Sequence, residues 1–576
     1  MAGAAYSTSA GTNAGASRNA RTPGPMRTDV IRFAELLCRF VGDSLSPTQP
    51  RQGSVVMSQT DPRPDLEQEE QRIDAEMDLE TQNAKSVYNV PGYHPVRGEL
   101  SHAPVRITGS VPADLDGAYL RNGTNNQFED SKVRLHAFSG AGMIHQIQIQ
   151  DGAATYSNFY VRTPRFQAER EAGREVYPEF SDLVAGKPGA QRLALIEKKI
   201  AAGMIPALGA FERTPGSTSI RYHHGRLYCL QESGYAFVLN TEIDAETRLV
   251  LDGTGGLETW DGEWEGPFSA HPRINPDNGD VYNISVERSG RIIAGQIHEG
   301  ELVAQAAVYR QTADTGAMGW LHDFFLTDNY LVFPDISIRV APTGLTGPEG
   351  SLFHHDIEYR MRWGVIPRLI DENVKVRWFQ TDNVGTIWHV INGWERTGQD
   401  GHAQIVLHSP VFLSYPASVP IHTPEEPPAQ VKTWVLDLET GEVVDDRILV
   451  DHGYERPSLN LGYVGRPSRY CYLLDEHGDG YMGKGVLKYD LIDEKAVAYH
   501  DYGGMYGGEA LFVPRRGATN EDDGYLLDLL MNAECAELIV IDARTMAELA
   551  RLHLPRRVPF GVHATWLTTE EITSLA

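Results

Sequence analysis

Histidine is the residue type with the most conspicuous chemistry in this chain, which carries 20 of them, many at the ends of strand-like runs beside Pro, Asp or aromatic residues. Neutral imidazole is the commonest transition-metal ligand. Four histidines have distinctive surroundings: His271 in FSAHPRINP, His322 in GWLHDFFLTDNYLVFPD, His389 in GTIWHVINGWE and His563 in VPFGVHATW. Their successive separations of 51, 67 and 174 residues are far too long for one local metal loop. They suit ligands brought one each from separate structural units to a common axis. Spacing alone leaves the blander reading open, because a lone histidine beside an apolar strand is usually a hydrogen-bonded core residue. Competing chemistries lose ground: there is no Walker-type phosphate loop, no GxGxxG between strand and helix, no GxSxG elbow and no HExxH.

The elements able to hold such residues begin near Val87. From there the chain runs in short β-branched and aromatic segments punctuated by Gly, Asp, Asn or Pro, among them DGAYLRNG, GAATYSNFYVRT, TDNYLVFPD and the hairpin KTWVLDLETGEVVDDRILV. So many hairpins would leave several unpaired edges in one open sheet, and radial repetition of small sheets limits that problem. The expected fold is all-β, a β-propeller over residues 86–576. No WD or kelch-like repeat is present, and a pair of packed sandwiches fits the periodicity nearly as well.

Residues 1–85 read as an arm. The first 28 are rich in Ala, Ser, Thr and Gly, contain Arg18, Arg21 and Arg27 and no acidic residue, and resemble a transit peptide. A disordered tail is the rival reading, so localisation in plastid or cytoplasm stays open. Ile31, Ala34, Leu37 and Val41 follow a helical period behind Thr28. From Asp43 to Lys85 the composition is that of a polar, acidic linker. A second helical pattern, over 191–211, presents Leu193, Ile196, Ile200, Met204, Leu208 and Phe211 beside Lys198 and Lys199. It fits either a lipid interface or a helix capping the sheets.

Composition bounds the function. Of 576 residues 41% are hydrophobic and 22% charged, which supports a sizeable core. A net charge of −27 without a basic tract makes nucleic acid an unsuitable partner. Cys38, Cys229, Cys471 and Cys535 are scattered without CxxC spacing, which favours a reducing compartment.

Taken with their flanking residues, these segments resemble the carotenoid cleavage oxygenase family. The resemblance runs from about Val90 to Trp566. It rests on DLDGAYLRNGTNNQF, FSGAGM where the family has FDGDGM, and then AHP, LHDF, WHVINGWE, YGGEALFVPR and VPFGVHATW, all in the family's order. It implies a seven-bladed β-propeller with helices capping one face over an iron centre. It also implies a non-haem Fe(II) held by His271, His322, His389 and His563, with Glu232, Glu455 and Glu509 orienting three of the histidines.

The same resemblance implies O₂ and a hydrophobic polyene as substrates, with oxidative scission of a C=C bond of a carotenoid or apocarotenoid. Thr163 in VRTPRFQAE matches a family threonine facing the iron's vacant side. Stilbene-cleaving members anchor a phenol through a lysine near Tyr160–Phe166, where this chain has Arg162 and Arg165. The TPRFQAER segment is nevertheless similar to phenylpropanoid cleavers, so a phenolic alkene is the alternative substrate. A non-oxygenating isomerase or a binding propeller are lesser ones. Residues 191–211 resemble a membrane-dipping helix of plant members.

Overall fold

Period-two runs of β-branched and aromatic residues pair as antiparallel strands wherever a glycine or aspartate turn lets the chain reverse. The hairpin read from the sequence is one such case: Gln430–Asp437 pairs with Val443–Val450 across a turn in which Gly441 takes a φ of +79°. The inner strand is buried at nearly every position, while Val443–Val450 is mostly exposed or half-buried. The computed structural model describes residues 61–77, 92–128, 137–310, 317–342, 346–347, 350, 352–413, 428–476 and 482–575. The transit-like segment and the helix expected behind Thr28 lie outside them.

Among the described residues the architecture is predominantly β, and its recurrent unit is a four-stranded antiparallel sheet. Five such sheets have as their first, edge strands Ser219–His223, Arg273–Ile274, Phe325–Leu326, Asn392–Thr397 and Tyr454–Ser458. A nine-stranded sheet ends on Leu511–Pro514 at one edge and Ala564–Thr568 at the other. Within it the two ends of the chain are woven together. Leu100–Gly109 lies between Glu548–His553 and Ala153–Tyr160, and Gly117–Asn125 lies between Ala141–Gln150 and the final strand. Edge strands neighbour one another: Phe325–Leu326 meets Asn392–Thr397, and Ala564–Thr568 meets both Ser219–His223 and Leu511–Pro514.

Adjacent sheets are held face to face by large apolar side chains. Trp363 meets Trp434 of the next sheet at 5.2 Å between ring centroids, and Tyr472 stacks on Phe512 at 5.7 Å. All four rings are buried, so each contact removes a large apolar area from water on both sides.

Five α-helices are described: α1 (Arg63–Glu76), α2 (Pro164–Ala172), α3 (Phe180–Val184), α4 (Gly186–Ala201) and α5 (Thr569–Ser574). Helix α1 differs from the linker expected there. Leu66, Ile73 and Met77 are buried against Leu195 of α4, and the acidic residues that gave the segment its linker-like composition meet the basic face of α4. Lys199 binds Glu70 at 2.6 Å, Lys198 binds Glu69 at 2.8 Å, and Arg192 binds Asp74. The helix expected over 191–211 begins earlier and ends at Ala201. Gly203, with a φ of +67°, and then Pro206 stop it.

Candidate metal centre

The four histidines occupy equivalent places in the chain's repeat. His271 precedes Arg273–Ile274, His322 precedes Phe325–Leu326, His389 precedes Asn392–Thr397 and His563 directly precedes Ala564–Thr568. Each therefore sits on the loop entering an edge strand of a different sheet. Their Nε2 atoms converge: His271 to His322 is 3.1 Å, His322 to His389 is 3.2 Å and His389 to His563 is 3.2 Å.

The opposite ring nitrogens decide what those Nε2 atoms are. His322 Nδ1–H donates to Glu232, His389 Nδ1–H donates to Glu455 at 2.6 Å, and His563 Nδ1–H donates to Glu509 at 2.8 Å. A neutral imidazole has one proton, so these three rings present bare Nε2 lone pairs to one another. Lone pairs 3.2 Å apart cannot hydrogen-bond mutually. A cation among them is the partner their chemistry calls for, and the carboxylate behind each ring raises its basicity as a ligand. The donor set fits a metal ion that accepts imidazole, with all four histidines as its ligands.

Electrostatics agree for most of the site. Burial, reinforced by the neighbouring histidines, holds His271 and His563 neutral far below the usual imidazole range and His389 down to about 3. His322 runs the other way: burial lowers it, but the Glu232 carboxylate outweighs burial and raises it. Burial pushes Glu455 up to about 7, against the opposing backbone N–H and charge of Arg456.

A further side chain ties the loops together. Asp323, 2% exposed, accepts from Val390 N at 3.0 Å and pairs with Arg273. It thus links the His322 loop to those bearing His389 and His271. It is the acidic residue of LHDF, and nothing in that motif alone signals this linking role. Glu509 is held by close backbone packing, as the glycines before it imply. A Cβ on Gly507 would lie 2.2 Å from Asp528 Oδ2, and one on Gly508 2.9 Å from the Gly561 carbonyl.

His322, His389 and His563 form part of the wall of a cavity of about 720 Å³. Phe138, Phe180, Trp320, Trp388 and Phe412 make much of it apolar, and Leu193 and Ala194 of α4 with Ala210 and Phe211 contribute another side. Rings continue along the wall from Phe138 to Phe180 at 6.2 Å and on to Trp320 at 5.9 Å, with Phe560 packed behind Phe138 at 6.4 Å. This long aromatic track suits an extended, flat, apolar ligand. Helices α2, α3 and α4 share the lining of this cavity with the histidines.

The other sequence candidates fall in varied places. Thr163 is buried, but its hydroxyl accepts from Phe166 N at 3.2 Å and caps α2; it is not among the residues lining the cavity. Pro164 at the first helical position and Gly173 beyond the end complete that helix, which a strand reading of the segment misses. Arg162 is spent on Glu99 at 2.8 Å and on the Asp252 carbonyl. Arg165 does reach the cavity, bound to Glu169 and Glu179. Glu179 also accepts from Gly140 N at 2.9 Å, and Gly140 holds a φ of +124° in the FSGAGM turn.

Antiparallel sheets bring four imidazoles together, three of them on the wall of a largely apolar cavity, in a group that could hold a metal ion. The family model described as Retinal pigment epithelial membrane protein matches residues 93–568. The carotenoid 9,10(9',10')-cleavage dioxygenase 1 of Arabidopsis thaliana is 27% identical over 503 residues, covering 83% of this chain and 89% of the relative. The chloroplastic 9-cis-epoxycarotenoid dioxygenase NCED1 of Oryza sativa subsp. japonica is 30% identical over 498 residues, covering 83% and 75%. Among solved structures, cobalt-substituted Synechocystis apocarotenoid oxygenase superposes with a TM-score of 0.66 at 25% identity, covering 83% of this chain and 98% of that one. The lignostilbene dioxygenase of Pseudomonas brassicacearum, at 23% identity, shares the fold with a TM-score of 0.67 over 84% and 98%. The chain belongs to the carotenoid cleavage oxygenase family and is an oxygenase.

Proposed function

We propose that the protein is a non-haem Fe(II) dioxygenase that cleaves one C=C bond of a carotenoid or apocarotenoid into two carbonyl products. The observation that carries this reading is the convergence of four Nε2 atoms, three of their rings on the wall of a largely apolar, aromatic-lined cavity of about 720 Å³. Fe(II), when bound, supplies the electrons through which ground-state O₂ reacts with a closed-shell alkene. The protein's part is positioning and shielding. His271, His322, His389 and His563 would hold the ion, with Glu232, Glu455 and Glu509 fixing the orientation of three rings. Phe138, Phe180, Trp320 and Phe412 grip the polyene by apolar contact, exclude water and set which double bond lies beside the ion. Both oxygen atoms of O₂ are accounted for as the two new carbonyls, so no side chain need act as a general base.

Substrate entry suits the segment 191–211. Leu193, Ala194, Ala210 and Phe211 line the cavity while Pro206 and Ala207 are exposed, an arrangement fit to rest on a lipid surface and draw an apolar substrate inward. The nine-stranded sheet reads as two blades joined at Leu100–Gly109, which with the five four-stranded sheets gives a seven-bladed propeller.

A phenolic alkene is the second reading, favoured by the Arg165–Glu179 pair, a polar spot on the wall that a hydrocarbon leaves unused. The test is a parallel assay of Fe(II)-loaded protein under ¹⁸O₂ with dispersed β-carotene, zeaxanthin, an apocarotenal, isoeugenol and resveratrol. Apocarotenoid carbonyls labelled in both fragments support the first reading. Labelled aromatic aldehydes alone move the protein to the second, and unlabelled products remove it from the dioxygenases.

A further inference from the structure

Beside the metal centre the cavity wall holds a cation whose hydrogen-bonding capacity the fold leaves partly unspent. Arg456 follows Glu455, the carboxylate on His389, and lines the cavity together with Glu476. It is only 4% exposed, and its φ of +38° lies in the left-handed region that non-glycine residues rarely adopt. Its Nε donates to Glu476 and its guanidinium sits 5.3 Å from the centroid of Phe560, yet among the described residues Nη1 and Nη2 donate to no acceptor. Buried, unsatisfied donors are costly and uncommon. Arg165, another arginine of the same cavity, differs: its guanidinium is taken up by Glu169, Glu179 and the Pro178 carbonyl. Idle donors and a strained backbone held together beside a reactive centre mark a residue kept for a ligand.

The neighbouring residue narrows the ligand's chemistry. Arg456 can only donate, and the carboxylate of Glu476 accepts. A hydroxyl does both, and so can bridge the two without adding charge. An incoming carboxylate would face Glu476 and Glu455, and a carbonyl would use the arginine alone. Phe560, under the guanidinium, packs against Phe138, the first of the wall rings that run through Phe180 to Trp320, so a ring bearing the hydroxyl would lie at the Phe138 end of that wall.

Resting on the dioxygenase reading, we propose that Arg456 and Glu476 form a subsite that reads a hydroxyl on the terminal ring of the alkene substrate. The subsite would act on binding and on which double bond is presented, with no part in bond scission.

Two matched pairs test it on the Fe(II)-loaded full chain: zeaxanthin against β-carotene in detergent, and resveratrol against stilbene. Dissociation constants are read anaerobically from quenching of tryptophan fluorescence, so the result does not depend on turnover. Tighter binding of the hydroxylated member of at least one pair, by about tenfold or more, is expected. The pair that shows it tells a long polyene from a short phenolic alkene. The preference should shrink to within about twofold in Arg456→Met/Glu476→Gln, and Arg456→Gln, which keeps a polar side chain, should reduce it in part. Equal binding within both pairs by the unaltered protein, or a preference that survives the double variant, would overturn the proposal. Selective binding without cleavage under air would strike the dioxygenase reading and leave the subsite standing.

Discussion

Asp323 and Glu509 would act on a bound metal through the histidines, by different routes. Glu509 accepts the Nδ1 proton of His563, so Glu509→Gln keeps the shape but replaces a carboxylate with a neutral amide. Changes of this kind cost about 10- to 100-fold in metal affinity. Asp323 is joined to Arg273 and to Val390 N, so Asp323→Ala should loosen three ligand loops together and lower affinity at least as much. Competition against a fluorescent chelator measures both, with circular dichroism to confirm the fold; unchanged affinity in either variant would remove its positioning role. At this scale the sequence was legible where motifs are contiguous. The four histidines and three glutamates it singled out are brought together here. Arg456, Glu476 and Asp323 carried no separate signal, since their roles arise from contacts between distant loops. Thr163 shows the reverse, a matching residue type whose hydroxyl caps a helix.

The sequence of helix α1 suggests a linker because acidic residues dominate its composition and its apolar residues are sparse. Leu66, Ile73 and Met77 nevertheless fall on one face, and the charges that looked solvated meet Arg192, Lys198 and Lys199 of α4. That partner surface lies more than a hundred residues away and cannot be seen in the local pattern. Ile73 is fully buried, so Ile73→Ala should destabilise the docked helix by about 2–5 kcal/mol. Hydrogen exchange is the suitable readout. Faster exchange across Arg63–Glu76 and Gly186–Ala201, with the sheets unaffected, is expected; protection unchanged in both helices would show that α1 contributes nothing to holding α4. Since α4 forms one side of the cavity, the same variant should bind polyenes more weakly.

Across the whole molecule, four sheets each deliver one histidine, and the chain's ends close on each other where Gly117–Asn125 pairs with Ala564–Thr568. His563 immediately precedes that final strand, so the pairing of the two ends also sets where this histidine lies. The β class and the repeated hairpins were legible from period-two patterning. Sheet order was not, because pairing the first strands with the last is a long-range choice that no local pattern encodes. A metal bound at the meeting point should stabilise the whole assembly: a free concentration a hundredfold above Kd contributes about 2.7 kcal/mol. Unfolding should therefore shift to higher temperature on adding Fe(II) and fall back with a chelator. A transition indifferent to both would place the ion elsewhere.

The most direct test of the four-histidine centre is iron K-edge X-ray absorption on the anaerobic Fe(II)-loaded protein, with metal analysis of the same sample. One iron per chain, nitrogen and oxygen scatterers only, and an outer-shell pattern fitted by four imidazoles is the expected result, with one imidazole lost and iron content sharply reduced in His322→Ala. A centre fitted by two or fewer imidazoles, or full iron occupancy in that variant, would contradict it.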